Sequence, residues 1–567
     1  MITFTEEQQA IANIGYTPGN AFAVHAYAGT GKTFILRHMA EQLGRSAPGV
    51  NILYLAFNKS VATEAQRLFP PFVRCSTVHA LAMSRTGAGI RHKLKGNIRL
   101  GTLCDALEGV ATIYRQTDEF CERGHYLQEI MMSTSTKWWF ADLIKKTINK
   151  YQYSADPWPL DAHVPQEELL QKEELSFQPG MIPGIVHMIF KRMCDPQDAF
   201  PCLHDTYVKT YALSKPNLAL EYHVVMLDEA QDANGVTMSI MNAAHQSMLV
   251  YVGDAHQQIY AWRGSLNIMD SIKSDYAYHI TQSFRFGPGP AELSTSILRA
   301  WKNHQLPPVR GTGETQIVTV ANLYSTIPPK CTYLARLNGT LLLLAIKLVK
   351  REIPFGFAGG TPESALQLIM DVCNKQLNNW KEIKSTFIKN FKSMEQLMIY
   401  AEYGEPELSM ACRMISDSSA ASVLRNIKDV IAAALDPLVH APDILLSSCH
   451  KAKGMEWDTV VLDEDMARMF YHIDRQLMAD AFSEKRYNEA QELERAIEKA
   501  LPTENTLAQT EEANLLYVAI TRAKNTLIIR GKLRAFIMNH TDLELPEMTR
   551  VTAKAADRLD LTLEQTP

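Results

Sequence analysis

Short apolar runs alternate with helical patterns in the amino-terminal part of the chain. The apolar runs AFAVHA (21–26) and NILYLAF (51–57) are each followed by a helix-like stretch, at 32–43 and at 60–68. This alternation predicts parallel strands that are connected by crossover helices. The same strand pattern returns in the segments HVVMLDE and SMLVYVGD.

A second group of strand-like runs starts near HITQSF and continues with CTYLARL, ILLSSCH, TVVLDED and TLIIRG. The stretches 85–203 and 361–439 differ from both groups because they are rich in helix-forming residues and contain few strand-like runs. A chain of 567 residues is also too long for one hydrophobic core. We therefore predict an α/β protein with two cores, each interrupted by a mostly helical insert.

Composition narrows the class of protein without indicating an activity. Hydrophobic residues make up 46% and charged residues 21% of the chain, which is ordinary for a globular protein. The amino terminus has no secretory apolar region, the longest apolar run is too short to span a bilayer, and the nine cysteines lack paired spacing. We therefore expect a cytoplasmic protein with reduced thiols and no membrane partner. The net charge of −5 implies that a nucleic acid would be held by local basic patches.

The segment HAYAGTGKTF has most of the features of a phosphate-binding loop. Gly29 and Gly31 would allow a tight turn, and the helix that starts at Lys32 would direct its positive dipole end at a phosphate. Lys32 can neutralise the outer phosphates, and Thr33 can ligate magnesium. The leading glycine of the usual pattern is replaced by Ala26, so the loop alone leaves open a chance glycine-rich turn.

An acidic motif supports a nucleotide site. The segment VVMLDEAQD places Asp228 and Glu229 at the end of an apolar strand, and the carboxyl ends of parallel strands gather around a ligand. Asp228 would hold magnesium, and Glu229 would take a proton from the attacking water. The alternative is an acidic strand end that caps the next helix, and it is weaker because the loop is also present. The two motifs together predict an ATP or GTP hydrolase.

Further segments match a known motif set in the same order. They are FTEEQQAIA, AFNKSVATEA, STVHALA, VGDAHQQIYAWRGS, TQSFRFG, YLARLN, SSCHKAKGMEWDTVVLDED and EEANLLYVAITRAKNTL. With the phosphate loop and DEAQD, the chain resembles the superfamily 1 DNA helicases of the UvrD, Rep and PcrA type. FNKSVA, HDTYVKTYALSKP, TQSFRFG and HKAKGMEWD resemble most closely the helicase part of the F-box DNA helicases. Because we find no F-box-like segment ahead of these motifs, we expect no ligase-adaptor role.

The resemblance implies two RecA-like P-loop domains with parallel sheets, each carrying a mostly helical insert. A loop that begins with alanine is usual in this family, so Ala26 is no longer an anomaly. The implied limits are 1–84 and 205–282 for the first RecA-like domain, 85–204 for its insert, 283–360 and 441–550 for the second RecA-like domain, 361–440 for its small insert, and 551–567 for a tail.

The resemblance also implies which residues contact ATP and magnesium. Gln8 would read the adenine edge, Phe284 would stack on the base where the family usually has tyrosine, and Glu456 would lie near the ribose. Magnesium would be held by Thr33 and Asp228. The full set of expected nucleotide contacts is Gln8, Ala28, Gly29, Thr30, Gly31, Lys32, Thr33, Phe284 and Glu456.

Catalysis would use residues from both cores. Gln257 matches the family residue that senses the terminal phosphate, and Arg285 and Arg522 match two arginines that reach this phosphate from the second core. Planar guanidinium groups suit the negative charge that develops in the transition state. The expected catalytic residues are Lys32, Asp228, Glu229, Gln257, Arg285 and Arg522.

The motif set also implies a surface for a single DNA strand. Trp262 follows Gln257 by only a few residues, so a base stacked on Trp262 would respond to closure of the cleft; the alternative is a buried core tryptophan. Stacking and phosphate contacts without base reading give sequence-tolerant binding. The expected DNA contacts are Phe57, Asn58, Lys59, His79, Trp262, Arg263 and His450.

The sequence therefore predicts an ATP- and Mg²⁺-dependent DNA helicase or translocase that acts on single-stranded DNA and strand junctions in replication, repair or recombination. The resemblance implies 3′ to 5′ movement. Alternatives are a translocase that mainly displaces DNA-bound proteins, RNA as the track, and a regulatory protein without turnover, although the intact catalytic residues argue against the last. A loading or recombination protein is left open as a partner. We expect a bacterial or phage protein rather than a nuclear one.

Three further segments carry weaker signals. The segment 84–100 has no acid and is either an arm on duplex DNA or a solvated loop; its basic residues are Arg85, Arg91, Lys93, Lys95 and Arg99. The two tryptophans of KWWF (137–140) are more typical of a core than of a base-stacking pair. The stretch 483–499 mixes charges at helical spacing and predicts a solvated helix.

Overall fold

The computed structural model describes most of the chain. The described residues are 4–116, 127, 130, 134–170, 177, 180–259, 268–320, 328, 330–403, 406–467 and 507–546. Trp262 and Arg263, the charged stretch 483–499 and the tail 551–567 lie outside these residues. The expectations for them, like the domain limits, stay predictions.

Six parallel strands form the first sheet, in the spatial order β3-β2-β4-β5-β1-β6. Alternate side chains of β2, β4 and β5 belong to two different hydrophobic clusters, so both faces of the sheet are covered. The strands are β1 (Ala21–Ala26), β2 (Ile52–Ala56), β3 (Val73–Thr77), β4 (Val224–Leu227), β5 (Met248–Gly253) and β6 (Tyr276–Ile280).

The prediction that a second group of strands begins near HITQSF is wrong for β6. This strand pairs in parallel with β1 at the edge of the first sheet, with Tyr276 opposite Phe22. Only Gln282–Ser283 (β7) leaves that sheet, and it pairs with Arg310–Gly311 (β8) in a separate two-stranded sheet. A hydrophobic pattern identifies a strand but does not determine which sheet edge will accept its hydrogen bonds.

The second sheet also has six parallel strands, in the order β11-β12-β10-β13-β14-β9. In both sheets, strands that are distant in sequence lie side by side, as crossover helices require. The predicted α/β fold with two RecA-like parallel-sheet domains is therefore confirmed. The strands are β9 (Gln316–Val320), β10 (Cys331–Ala335), β11 (Phe355–Phe357), β12 (Ile444–Ser448), β13 (Trp457–Leu462) and β14 (Ala523–Arg530).

Four α-helices of the first half of the chain, which ends before β7, begin at residues whose side chains cap them. Thr5 forms a capping box with Gln8, and the side chain of Asn58 caps the helix that follows β2. The α-helices are Glu6–Ala12, Lys32–Ser46, Lys59–Leu68, Val78–Ala82, Leu100–Gln116, Thr134–Tyr153, Gln166–Leu170, Met181–Cys194, His204–Leu213 and Gly235–Ala243. Short 3₁₀ helices lie at Ala88–Lys93, Asp161–His163, Leu218–Leu220, Ala230–Asp232 and Ile268–Asp270, and a π turn lies at Met83–Gly87.

The helical segments that interrupt the two sheets contact each other. The Trp138 ring meets the Tyr400 ring edge-on at 4.9 Å, and the Arg99 guanidinium lies 5.3 Å from the centroid of Phe387. The second half contains the helices Pro288–Trp301, Asn338–Lys350, Glu363–Gln376, Thr386–Lys389, Met394–Tyr403, Pro406–Asp417, Ala420–Ala433, Cys449–Ala452, Leu507–Ile520 and Gly531–His540. Among the described residues, no helix is long and apolar enough to cross a membrane.

The structure decides two of the weaker sequence signals. Trp139 is 1% exposed and lies in the core, as the composition of KWWF favours. Lys93 is buried, and its Nζ donates to the backbone carbonyls of Arg192, Asp195 and Asp198 at 2.7–2.8 Å. Lys93 is therefore not available to duplex DNA; it binds carbonyls at the end of a helix.

Candidate nucleotide and DNA site

The predicted phosphate loop lies between β1 and the helix Lys32–Ser46. Gly29 (φ +74°) and Gly31 (φ +79°) occupy the left-handed region, which residues with a Cβ rarely adopt. A Cβ at position 29 would also lie 2.5 Å from Oγ of Ser283 and 2.6 Å from Cβ of Arg285. Glycine is therefore required at position 29 both for its backbone angle and for the close approach of β7.

The two predicted acids lie where β4 ends. Asp228 is buried; its Oδ2 accepts a 2.5 Å hydrogen bond from the Tyr54 hydroxyl and lies 3.5 Å from the Thr33 hydroxyl. Glu229 has φ 51° and ψ 43°, which a non-glycine residue adopts only when its surroundings hold it there. Its N–H donates to Oδ1 of Asp228 at 2.9 Å, and its Oε2 accepts from Gln231 at 2.5 Å. These contacts fix both carboxylates beside the loop.

Lys32 balances the charge of this corner, because its Nζ lies 3.4 Å from Oε1 of Glu229. Burial opposes the charge of Glu229, but Lys32 and Lys453 outweigh it and lower the pKa of Glu229 to about 2. Burial also opposes the charge of Lys32, but the nearby carboxylates outweigh it and raise the pKa of Lys32. Burial and the charge of Glu229 raise the pKa of Asp228. Glu229 is thus held in its ionised form, as a general base requires.

The Thr33 hydroxyl and the Asp228 carboxylate fit a hard divalent cation. Mg²⁺ prefers oxygen ligands and completes its coordination with waters and substrate phosphates, so two protein oxygens beside the loop are sufficient. A cation there would also offset the repulsion from Glu229 that raises the pKa of Asp228.

Gln257 is held by a chain of hydrogen bonds that includes both halves of the molecule. Its Nε2 donates to Oδ2 of Asp254 at 2.8 Å, and its Oε1 lies 3.5 Å from Nη2 of Arg522. The hydroxyl of Tyr517 donates to the same Asp254 oxygen at 2.9 Å and accepts from the N–H of Ala28 at 2.9 Å. The phosphate loop, Gln257 and a helix of the second half are therefore joined directly.

Two arginines reach the site from beyond the first sheet. Nε of Arg285 donates to Oε2 of Glu456 at 2.7 Å, and its Nη1 donates to the carbonyl of Thr521 at 3.3 Å. Arg522 is 1% exposed and donates to two backbone carbonyls at 2.8 and 3.2 Å. Burial and the charge of Arg285 lower the pKa of Arg522 to about 9. Two cations held this close together favour an anion between them.

A cavity of about 400 Å³ brings these groups together at the carboxyl ends of the first sheet's strands. Ligands of open α/β sheets bind in such a position. The described residues that line it include all six expected catalytic residues and most of the loop: Gly29, Thr30, Gly31, Lys32, Thr33, Asp228, Glu229, Gln257, Arg285 and Arg522.

The other expected nucleotide contacts lie around the cavity rather than in its lining. Gln8 is buried behind the loop, where its Nε2 donates to the carbonyl of Thr30 at 3.1 Å. Phe284 is 49% exposed, and Glu456 is paired with Arg285. The N–H of Ala28 is taken by Tyr517.

Sequence reasoning missed three residues that organise the site, namely Tyr54, Asp254 and Tyr517. Asp254 and Tyr517 stand within the quoted segments VGDAHQQ and LLYVAITRAK, so a signal was present. The hydrogen bond between Tyr517 and Asp254 joins positions 263 residues apart, and that between Tyr517 and Ala28 joins positions 489 apart. No local pattern can reveal such a partner.

The expected DNA contacts lie on two surfaces. Phe57 is 39% exposed and His79 is half exposed, with its Nε2 3.4 Å from Asp205. Both line a second cavity, of about 880 Å³, that also reaches Asp228 and Glu229. Two residues that we expect to contact a DNA strand therefore line the same cavity as the two expected catalytic acids; we call Phe57 and His79 the strand surface.

Among the described residues, the other expected DNA contacts, Asn58, Lys59 and His450, do not line this second cavity. Asn58 and Lys59 are exposed at the start of the helix Lys59–Leu68, where Oδ1 of the Asn58 side chain accepts from the N–H of Val61 at 2.9 Å. His450 is only partly exposed, and burial together with the charge of Arg336 lowers its pKa to about 4. A neutral His450 can donate to a strand but adds no positive charge.

Two parallel sheets, a phosphate loop on the first and arginines that reach it from the second half define a two-domain P-loop nucleotide-binding protein. Residues 4–277 match the family model of the UvrD/REP helicase N-terminal domain, and residues 370–532 match that of the UvrD-like helicase C-terminal domain. The chain therefore belongs to the UvrD-like helicase family, as its motifs indicate.

Two curated relatives are similar along most of the chain. F-box DNA helicase 1 of Gallus gallus is 27% identical over 556 residues, which cover 94% of this chain and 49% of the relative. F-box DNA helicase protein 1 of Schizosaccharomyces pombe is 27% identical over 554 residues, which cover 93% and 57%. A probable DNA helicase II homolog of Mycoplasma pneumoniae is 35% identical over 109 residues, which cover 17% and 15%.

The chain thus spans about half the length of the two F-box helicases that it matches. The resemblance to the helicase part of F-box DNA helicases is confirmed. Both of these relatives are eukaryotic, so they do not support the expectation of a bacterial or phage protein.

Proposed function

We propose that this chain is an ATP-dependent DNA helicase that translocates on single-stranded DNA. The observation that carries the proposal is the cavity of about 400 Å³, which is lined by the phosphate loop and both acids of the first half and by Arg285 and Arg522 from beyond the first sheet. Such a site is complete only when the halves are closed, so nucleotide binding and hydrolysis would change their relative position.

Each group in the cavity has a role that suits phosphoryl transfer to water. Lys32 and the loop N–H groups would hold the outer phosphates. Ionised Glu229 would accept a proton from the attacking water. Arg285 and Arg522 would stabilise the charge that develops on the transferred phosphoryl group. Gln257, bonded to Asp254, would orient the water or sense the terminal phosphate.

Thr33 and Asp228 would hold Mg²⁺, which would supply positive charge to offset that of the phosphates. The carboxylate of Asp228 is prepared for this role by the Tyr54 hydroxyl and by the N–H of Glu229, which leave Oδ2 beside Thr33.

Base and sugar recognition is proposed for the residues around the cavity. Half-exposed Phe284 offers a ring for stacking on adenine. Gln8 uses one Nε2 hydrogen for Thr30 and keeps a second for the base edge. The carboxylate of Glu456 would accept hydrogen bonds from both Arg285 and a ribose hydroxyl.

The DNA strand would lie over Phe57 and His79, whose cavity reaches the catalytic acids, with Trp262 stacking on a base and Arg263 on a phosphate. The resemblance supports 3′ to 5′ movement, and work in replication, repair or recombination. A loading or recombination protein remains the proposed protein partner.

Steady-state ATPase activity with and without single-stranded DNA tests this function. We expect strong stimulation in the wild type and weaker stimulation in Trp262→Ala at an unchanged DNA-free rate, because one lost stacking platform costs about 1–3 kcal/mol of strand binding. A wild type that ignores DNA but responds to RNA would contradict the DNA assignment. Strand-separation and protein-displacement assays then distinguish a helicase from a translocase that mainly strips proteins.

A further inference from the structure

Lys453 connects three parts of the proposed machinery through one ammonium group. It follows the helix Cys449–Ala452 in the second half, and its Nζ forms an ion pair with the Asp232 carboxylate. The same Nζ donates to the backbone carbonyl of Gln257 at 2.7 Å. It also lies 5.7 Å from the centroid of the Phe57 ring. The acidic motif, the phosphate-sensing segment and the strand surface therefore meet at this residue.

The ion pair lies deep in the protein, with side-chain exposures of 8% for Lys453 and 0% for Asp232. Burial raises the pKa of Asp232 to about 6 although Lys453 lies beside it. Oδ1 of Asp232 is buried and has no hydrogen-bond partner in the described part of the chain. A buried ion pair of this kind contributes little to stability compared with apolar residues of similar size. Its presence is better explained by what it positions.

The position of Nζ affects a catalytic group through the backbone. Its hydrogen bond holds the carbonyl of Gln257, whose side chain lies between Asp254 and Arg522. A displacement of Lys453 would therefore alter the placement of Gln257.

The Phe57 ring gives this ammonium a contact with the strand surface. Phe57 is 39% exposed and lines the cavity of about 880 Å³. A base that stacks on the ring would exclude water from it, and attraction between a cation and a ring is stronger when both are desolvated. Strand binding would thus strengthen the attraction between the Lys453 ammonium and the Phe57 ring.

We propose that Lys453 is a positioning residue that couples a DNA strand on Phe57 to Gln257. The proposal rests on the proposed function, because it presupposes DNA-stimulated ATP hydrolysis. Lys453 itself lies outside the lining of the nucleotide cavity and acts through its three neighbours.

The test compares ATPase rates of the full chain without DNA and at saturating oligo-dT. Lys453→Met alone leaves the Asp232 carboxylate buried without its partner and endangers the fold. The double variant Asp232→Asn/Lys453→Met removes both charges and avoids that penalty. We expect it to keep its melting temperature and to keep its oligo-dT affinity within about 3-fold, and to lose about 10-fold of the stimulation, measured as the ratio of its rates with and without oligo-dT, a coupling of ordinary size for contacting residues.

Lys428→Met is the matched control, since Lys428 is an exposed lysine on a helix of the same half and should change nothing. A second arm uses Phe57→Leu, which leaves the ion pair in place and should also lower stimulation at saturating oligo-dT. Full stimulation in the double variant overturns the proposal. Equal losses of affinity and stimulation make Lys453 a plain phosphate ligand and overturn it too. A wild type without DNA stimulation would instead refute the proposed function itself.

Discussion

One strand in each sheet ends in the same short sequence, Leu-Asp-Glu, but the acids of the two strands have different partners. Strands β4 and β13 both lead from leucine into Asp-Glu, at Asp228 and at Asp463. In each case a tyrosine of the neighbouring strand donates to the aspartate, Tyr54 in the first sheet and Tyr333 in the second. Up to this point the two strand ends are copies of one arrangement.

The difference lies in the cation that faces the acids. In the second sheet, the buried Arg530 binds Asp463 at 2.8 Å and Glu464 at 3.2 Å, and it also donates to the Tyr333 hydroxyl at 2.6 Å. One guanidinium thus ties all of these oxygens together. Both acids at the end of β13 are therefore paired with Arg530, and we call this a closed strand end.

In the first sheet the cation is Lys32, a point charge 3.4 Å from Glu229. The lysine leaves Oδ2 of Asp228 beside the Thr33 hydroxyl, and both acids line the nucleotide cavity. The Asp-Glu end of β4 is therefore open to a ligand because, among the described residues, no internal guanidinium binds its acids, as Arg530 binds those of β13.

The largest expected effect is a difference in ATPase kcat between variants of Glu229 and Glu464. Glu229→Gln should reduce the ATPase kcat by about 10²–10⁴-fold, because it removes the general base. Glu464→Gln is the matched control and should leave kcat nearly unchanged. Steady-state ATPase assays check both variants, and a large loss of kcat in Glu464→Gln would break the comparison.

The next effect is a difference in the free energy of unfolding between variants of Arg530 and Lys32. Arg530→Met leaves Asp463 buried without its partner, so we expect the free energy of unfolding to fall by about 3–5 kcal/mol. Lys32→Met should abolish hydrolysis and cost less stability, because its carboxylate partner at Glu229 is partly exposed to the cavity. Urea denaturation measures the stabilities, and equal losses in the two variants would contradict a closed second site.

A smaller effect is expected for the two tyrosines. Tyr54→Phe and Tyr333→Phe each remove a buried hydrogen bond to a carboxylate, which costs about 1–3 kcal/mol of stability. Only Tyr54→Phe should also raise the Mg²⁺ concentration needed for half-maximal ATPase activity, because Tyr54 positions Asp228. A magnesium shift in Tyr333→Phe of the same size would contradict the assignment.

The smallest effect is a pH dependence of stability. The pKa of Glu229 is lowered from 4.5 to about 2, so its ionised form contributes stability that is present above pH 4.5 and lost as the pH falls toward 2. The difference in unfolding free energy between the wild type and Glu229→Gln should therefore shrink over this range. Urea titrations at several pH values check it, and a difference that grows on acidification would contradict it.

The sequence predicts the two strands and their terminal acids, but it does not predict the cation that binds the acids of β13. Apolar runs identify β4 and β13, and the phosphate loop singles out Asp228 and Glu229 as the reactive pair. The partner of Asp463 is Arg530, which comes 67 residues later, so no local sequence pattern predicts this ion pair.

The same limit applies elsewhere in the molecule. The edge strand β6 was recognisable as a strand, but its sheet depended on hydrogen bonding to β1. Lys93 stood in a basic segment, yet backbone carbonyls from a different helix bury it. The contacts of Tyr517 and Lys453 join distant segments in the same way. Motif order predicted which residues meet, and the folded chain determined how they are bonded.

We propose that Arg522, from the second half of the chain, completes the ATP site of the first half. Single-turnover ATP hydrolysis by Arg522→Ala, with ATP affinity measured in parallel, tests it most directly, and Arg534→Ala serves as a control because its guanidinium donates to carbonyls near the end of the described chain. We predict that hydrolysis by Arg522→Ala falls by about 10²–10⁵-fold while the ATP Kd changes by less than about 10-fold. Hydrolysis within about 3-fold of the wild type would contradict a site shared between the two halves.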